Sequence, residues 1–176
     1  MRVQPASETI MGQRHLEQDV EHIVPALVHA LGDQLLALVL YGSMARGEAK
    51  EGSDIDLYVI VEDRAPLPEH PIDRAQWLYD RLPPGSRGDV SLHTDTRSEF
   101  ESGFPSLYLD LGLDGRILWE REGYATAKLA RIRELIDAAG LFRVRLSPTS
   151  FFWDWKRPPV PGRWRVDWTG VYGLPR

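Results

Sequence analysis

Two apolar runs, joined by a Gly-Ser turn and an Asp-x-Asp pair, constrain this chain more than any other feature. Leu35 to Tyr41 is unbroken in its apolar character and stops at Gly42-Ser43. After ten residues come Asp54-Ile55-Asp56, and a second run, Leu57 to Val61, follows at once. A short continuous apolar run closed by glycine predicts a buried central strand. Residues 54–61 alternate instead, with Ile55, Leu57, Val59 and Val61 on one side and Asp54, Asp56, Tyr58 and Ile60 on the other. That pattern predicts a second strand with both carboxylates on one face, about 6.6 Å apart along the chain.

The carboxylate pair and the turn answer two halves of one chemical need. Phosphoryl-group chemistry spreads charge over phosphate oxygens, which a hard cation must neutralise. Mg²⁺ takes oxygen ligands, commonly one or two carboxylates plus substrate phosphates. Asp54 and Asp56 can converge on one cation or bracket two ions roughly 3.5–4 Å apart. A third strand is predicted over residues 89–94, with Val90 and Leu92 on one face and Asp89, Ser91 and His93 on the other. Asp89 is the candidate for a third metal ligand, or for the base that takes a proton from an attacking hydroxyl. At Gly42 the backbone can approach phosphate oxygens with no side chain in the way, and the Ser43 hydroxyl adds a donor. A helix starting at Ser43 would favour anions further, and Arg46 lies one turn on. Ser53 either binds phosphate or caps the turn before Asp54. Tyr58 reads as core rather than a base-stacking platform, and His93 as a residue satisfied by its strand neighbours.

The rest of the chain supplies a scaffold. Residues 14–31 predict a helix, with Leu16, Val20, Ile23, Val24, Leu27, Val28 and Leu31 on one stripe and Gly32 as its stop. Pro71 suits the first turn of a helix running to Leu82, before Pro83-Pro84-Gly85. Residues 106–113 fit two readings: alternating leucines suggest a strand, while Pro105 suits a helix start. Ile117 to Trp119 predicts a short strand and Glu122 to Ala139 a helix ended by Gly140. From Ser147 the composition changes. Four of the six tryptophans lie there among prolines, too many prolines for a long helix and too many indoles for plain disorder.

Charge and composition exclude several classes. The net charge is −5, yet from Ser147 onward five basic residues face only two acids, so the body is more acidic than the whole. An acidic body argues against general duplex binding, which depends on neutralising phosphates. The chain contains no cysteine, which excludes disulfides and thiolate chemistry. The polar start of the chain does not read as a signal peptide and no apolar run reaches a membrane span, so a cytoplasmic location is expected. The indole-rich tail favours packing on its own domain or self-association into a homo-oligomer.

At these residues the chain resembles the nucleotidyltransferase superfamily of DNA polymerase beta, and within it the small stand-alone minimal nucleotidyltransferases. The pattern Gly-Ser-x-Ala-Arg-Gly ending in Ser-Asp-x-Asp-Leu is met by Gly42 to Gly47 and Ser53 to Leu57, with Asp89 on a later strand. Leu113 to Glu120 resembles the closing strand of that family. The resemblance covers residues 14–140, read as a nucleotidyltransferase domain, and leaves 141–176 as a Trp/Pro-rich C-terminal arm with no counterpart. It implies an α/β (α+β) fold with a mixed sheet flanked by helices. It further implies Mg²⁺ dependence, with Asp54, Asp56 and Asp89 as metal ligands or base, and transfer of a nucleoside monophosphate, AMP from ATP, to a hydroxyl with release of pyrophosphate. Small members of this family act as antitoxins that adenylylate a tyrosine of a companion HEPN-type toxin. Two alternatives stand beside that role: adenylylation of a small molecule of the aminoglycoside type, and a non-catalytic module that binds its partner without transfer.

Overall fold

The computed structural model describes residues 6–50, 52–86, 90–147, 150–157 and 164–173, with side chains from residue 17 onward. Its centre is a four-stranded mixed sheet in the order β3-β2-β1-β4. These strands are β1 (Leu35–Tyr41), β2 (Ile55–Val61), β3 (Val90–Thr96) and β4 (Arg116–Glu120). β1 pairs antiparallel with β2 on one side and with β4 on the other, while β2 and β3 run parallel. The parallel pair is bridged by α3 (Pro71–Tyr79), as a parallel connection requires a crossover.

The sheet separates two cores. On one face Leu35, Leu38, Leu40, Ile55, Leu57, Val59 and Val61 meet α1 (Ala6–Leu31), through Ile23, Leu27 and Leu31, and α3, through Leu78. On the other face Leu36, Ala37, Val39, Tyr58 and Ile60 pack with α4 (Arg97–Ser102), α5 (Ser106–Asp114) and α6 (Tyr124–Ala139). β1 is therefore apolar without alternation because both its faces are covered. A register shift between Leu35 and Ala37 turns both Leu36 and Ala37 toward the second core.

Several predicted boundaries move. α1 begins at Ala6 rather than 14 and carries Pro25 in its interior; Leu16 of the predicted stripe falls outside the described side chains. α3 stops at Tyr79, with turn geometry from 80, rather than at Leu82. β3 extends to Thr96, where a capping box of Thr96 and Glu99 starts α4. α6 begins at Tyr124 because Glu122 and Gly123 adopt left-handed backbone, at φ of 52° and 72°.

Residues 106–113 are helical. The alternating leucines reflect no strand: Leu109 and Leu111 are buried while Leu113 is exposed. Gly112 lets α5 lie directly on α6, since a Cβ there would sit 2.3 Å from Ile132 Cγ2.

The C-terminal arm forms two antiparallel ribbons. β5 (Leu141–Ser147) pairs with β6 (Ser150–Trp155), and β7 (Arg165–Asp167) with β8 (Gly170–Tyr172). Their tryptophans pack on the second core: Trp153, Trp155 and Trp168 all lie against it. The Trp168 indole N–H donates to the carbonyls of Phe100 and Gly103, at 3.0 and 2.9 Å. Trp164 remains 40% exposed. Among the described residues no helix is long and apolar enough to cross a membrane.

Candidate active site

The site begins where β1 ends. Tyr41 pairs in register with Asp56, so the next residue, Gly42, lies against the aspartate's side chain. Gly42 has φ +71°, and a Cβ there would fall 2.0 Å from Asp56 Oδ2. Glycine is required on both counts: the backbone is left-handed, and the carboxylate occupies the space a side chain would fill. A single turn of helix, α2 (Gly42–Ala45), then carries Ser43 and leads to Arg46.

Gly42, Ser43, Arg46, Glu48, Lys50, Ser53 and Asp56 line one pocket of about 310 Å³. Of the candidates drawn from the motif, five thus meet in one place. Asp54 stands just before β2 and is exposed. It is near enough that its charge acts on Asp56. Asp89 lies outside the described residues.

The electrostatics identify Asp56 as the constrained carboxylate. Burial raises its pKa above the ordinary range, and the neighbouring Asp54 raises it further. Arg46 and a hydrogen bond from the Ser91 hydroxyl oppose the rise. The same burial, with Asp56 close by, pushes the Tyr41 hydroxyl up to about 12. Two like charges held together beside a polar pocket form the arrangement that a divalent cation relieves, and carboxylates are the ligands that a hard cation takes. Among the described residues no three His, Asp or Glu side chains cluster for a metal ion; the third candidate is Asp89.

Arg46 is not a solvated helix arginine. Its side chain is 16% exposed, pairs with Glu48 Oε2 at 2.9 Å and lies 3.6 Å from Asp114 Oδ2. Glu48 also pairs with Arg145 of the arm, and the two arginines hold its carboxyl below the usual range. Ser53 closes its own turn: its Oγ accepts the Lys50 amide at 2.9 Å, and its amide donates to the Lys50 carbonyl at 3.0 Å. Tyr58 is fully buried. It donates to Asp95 and stacks under His93, with ring centroids 4.6 Å apart. His93 sits 3.8 Å from Asp95 and does not line the pocket.

Sequence reasoning passed over four participants. Ser91 had a signal: it pairs with Asp56 in the parallel register and shares its face. Glu48 and Lys50 had none, because loop acids and lysines are ordinarily solvated. Asp114 could be placed only once α5 was known to run past α2.

The sequence pattern of the nucleotidyltransferase domain matches residues 23–112, just over half of the chain. A protein of Methanocaldococcus jannaschii, provisionally named a protein adenylyltransferase, is 37% identical over 70 residues, which are 40% of this chain and 46% of that relative. The chain thus matches less than half of that relative's length. Among solved structures, a toxin–antitoxin complex with AMP-PNP superposes with a TM-score of 0.49 at 21% identity, over 66% of this chain and 86% of that one. A protein from Sulfolobus solfataricus, provisionally named a nucleotidyltransferase, gives 0.49 at 20% identity, over 69% and 95%. With residues 23–112 matching its pattern, and that stretch holding the turn, both strands and the whole candidate pocket, this chain belongs to the nucleotidyltransferase domain family.

Proposed function

We propose that the chain is a Mg²⁺-dependent adenylyltransferase that moves AMP from ATP to a hydroxyl of a companion protein. One observation carries the reading: the Gly42 backbone lies directly against the Asp56 carboxylate, inside the pocket that also holds Ser43 and Arg46. A triphosphate lying along Gly42 and Ser43 would therefore have its oxygens beside a carboxylate, which is tolerable only with a cation between them. Asp54 and Asp56 would hold that cation, together with Asp89, the residue before Val90, whose partner in the sheet is Ile55. Two bound Mg²⁺ ions would offset the charge on the phosphates.

The protein's own groups do the rest. Ser43 donates to a phosphate oxygen, and Arg46 and Lys50 supply positive charge to the leaving pyrophosphate. Arg46 reaches it by exchanging Glu48 for phosphate. The acceptor oxygen bonds to the α-phosphorus as the bond to the β-phosphate oxygen breaks. The acceptor's proton passes to a carboxylate, with Asp89 in that role, and pyrophosphate leaves.

The partial likeness to the M. jannaschii protein, provisionally named for protein adenylylation, supports a protein acceptor. A tyrosine of a HEPN-type toxin is the specific acceptor that the minimal-nucleotidyltransferase resemblance suggests, and a cytoplasmic setting goes with it. The test is incubation of α-labelled ATP and Mg²⁺ with a lysate of the source cells, using wild type and the Asp54→Asn, Asp56→Asn double variant. Label on a protein with wild type alone supports the reading. Label on a small molecule moves the acceptor, and no label anywhere refutes transfer.

A further inference from the structure

The C-terminal arm does more than cover the second core. Between α5 and the two ribbons lies a second cavity of about 480 Å³, larger than the Gly42 pocket and walled by Phe104, Phe151, Trp153, Trp155 and Trp164 around Asp110. That volume lies in the range of small-molecule sites.

Besides the indole N–H groups, its polar side chains are Ser106 and Asp110. Trp153 donates its indole N–H to Asp110 Oδ1 at 3.2 Å, and Arg143 approaches the same oxygen at 3.4 Å. Asp110 Oδ2 has no hydrogen bond among the described residues, which leaves an acceptor at the wall. The Trp155 indole N–H is buried and has no hydrogen-bond partner among the described residues. A buried donor left unpaired is costly and uncommon in a settled core. Here the ring of that side chain lines the cavity, while the N–H itself is closed to water-sized molecules and is not reached from the cavity. Phe152 and Trp164 are 41% and 40% exposed, so the cavity opens to solvent on their side.

We propose that this cavity binds a flat, fused-ring aromatic small molecule that carries a hydrogen-bond donor on one edge. Indole and phenyl walls favour a flat ring, through stacked and edge-on contacts. Asp110 meets the ligand's donor. A sugar would bring many hydroxyls to a wall with too few polar partners.

The site adjoins the Gly42 pocket. Phe151, a cavity wall, carries three guanidinium groups over its ring: Arg46 at 4.9 Å, Arg143 at 4.6 Å and Arg145 at 4.7 Å. Arg143 also pairs with Asp114, which lies 3.6 Å from Arg46. A ligand that moves Phe151 or Asp110 therefore acts on the arginine that lines the other pocket.

The probe for a test is 7-hydroxycoumarin, a fused-ring molecule with a phenolic hydroxyl at one end and a lactone carbonyl at the other. Titration against tryptophan emission, without nucleotide or metal, reads this site apart from any transfer activity. Saturable quenching is expected. 7-Methoxycoumarin, which lacks the donor, should bind wild type about fivefold more weakly. That gap should close in Asp110→Ala, with near-UV circular dichroism reporting the fold of that variant. Quenching that never saturates would overturn the proposal. So would equal affinity of wild type for the two coumarins, and that arm decides the matter even if a variant misfolds.

Discussion

The two pockets that meet at Arg46 and Phe151 are built in opposite ways. The Gly42 pocket comes from one continuous stretch, Gly42 to Asp56, folded around a turn between adjacent strands. The aromatic cavity draws on residues from Phe104 to Val166, brought together by α5 and both ribbons of the arm. One is polar and needs close backbone approach; the other is mostly apolar and relies on shape, with Asp110 as its charged group. Close approach demands particular residues at particular steps, such as glycine where Asp56 fills the space. Shape can be met by any large rings that the fold gathers.

The largest expected effect separates the two pockets outright. Gly42→Ala drives a methyl group into the Asp56 carboxylate and strains a left-handed backbone. Transfer should fall by at least about 100-fold, as for reacting groups displaced by an ångström, while coumarin quenching stays as in wild type. Labelled-ATP transfer beside fluorescence titration checks both halves. A variant that keeps transfer would break the comparison.

The next effect tests the scaffold that both pockets share. Arg74 is 4% exposed and pairs with Glu99 Oε2 at 2.5 Å, with Glu99 itself 43% exposed. That pair ties α3 to α4. Glu99→Gln should cost about 2 kcal/mol in urea unfolding, below the ~3–5 kcal/mol of a fully buried pair because one partner is wet. The Arg74 hydrogen bonds depress the Glu99 carboxyl from 4.5 to about 2. Its contribution is therefore present above pH 4.5 and is lost as pH falls from there toward 2. The variant's stability should be flatter than the wild type's across that window.

A smaller effect belongs to the arm. Trp168→Phe keeps the ring but removes the N–H that serves two carbonyls at the end of α4. A loss of about 1–2 kcal/mol is expected by thermal or urea unfolding, with transfer preserved. Smallest of all, Ser53→Ala removes the acceptor of the Lys50 amide. About 0.5–1 kcal/mol is expected, with transfer reduced less than tenfold; a larger drop in transfer would place Ser53 on the phosphate.

The same contrast explains what the chain discloses before it is folded. β1 and β2 were legible because an unbroken apolar run and an alternating one are distinct patterns; the pairing of Tyr41 with Asp56 appears only in the fold. Gly42, Ser43 and Asp56 were legible because local spacing carries them together. Residues 106–113 were legible only in part: four leucines at every second position look like a strand, while Pro105 suits the helix start that the fold shows. Arg46 was legible as a candidate one turn past Ser43, but its partners were not, since its ion pairs reach Asp114 and its ring contact reaches Phe151. The arm gave up its tryptophans as packing groups but not its ribbons, because prolines and indoles specify no register.

The most direct test of the central claim is calorimetric titration of wild type and of Asp54→Asn with Asp56→Asn, using a non-hydrolysable ATP analogue, with Mg²⁺ and with a chelator. Wild type should bind the analogue with Mg²⁺ and lose at least about tenfold in affinity, 1.4 kcal/mol, either when the ion is withdrawn or when the two carboxylates are replaced. Equal binding by wild type with and without Mg²⁺, matched by the double variant, would contradict a cation held between Asp56 and a triphosphate at Gly42.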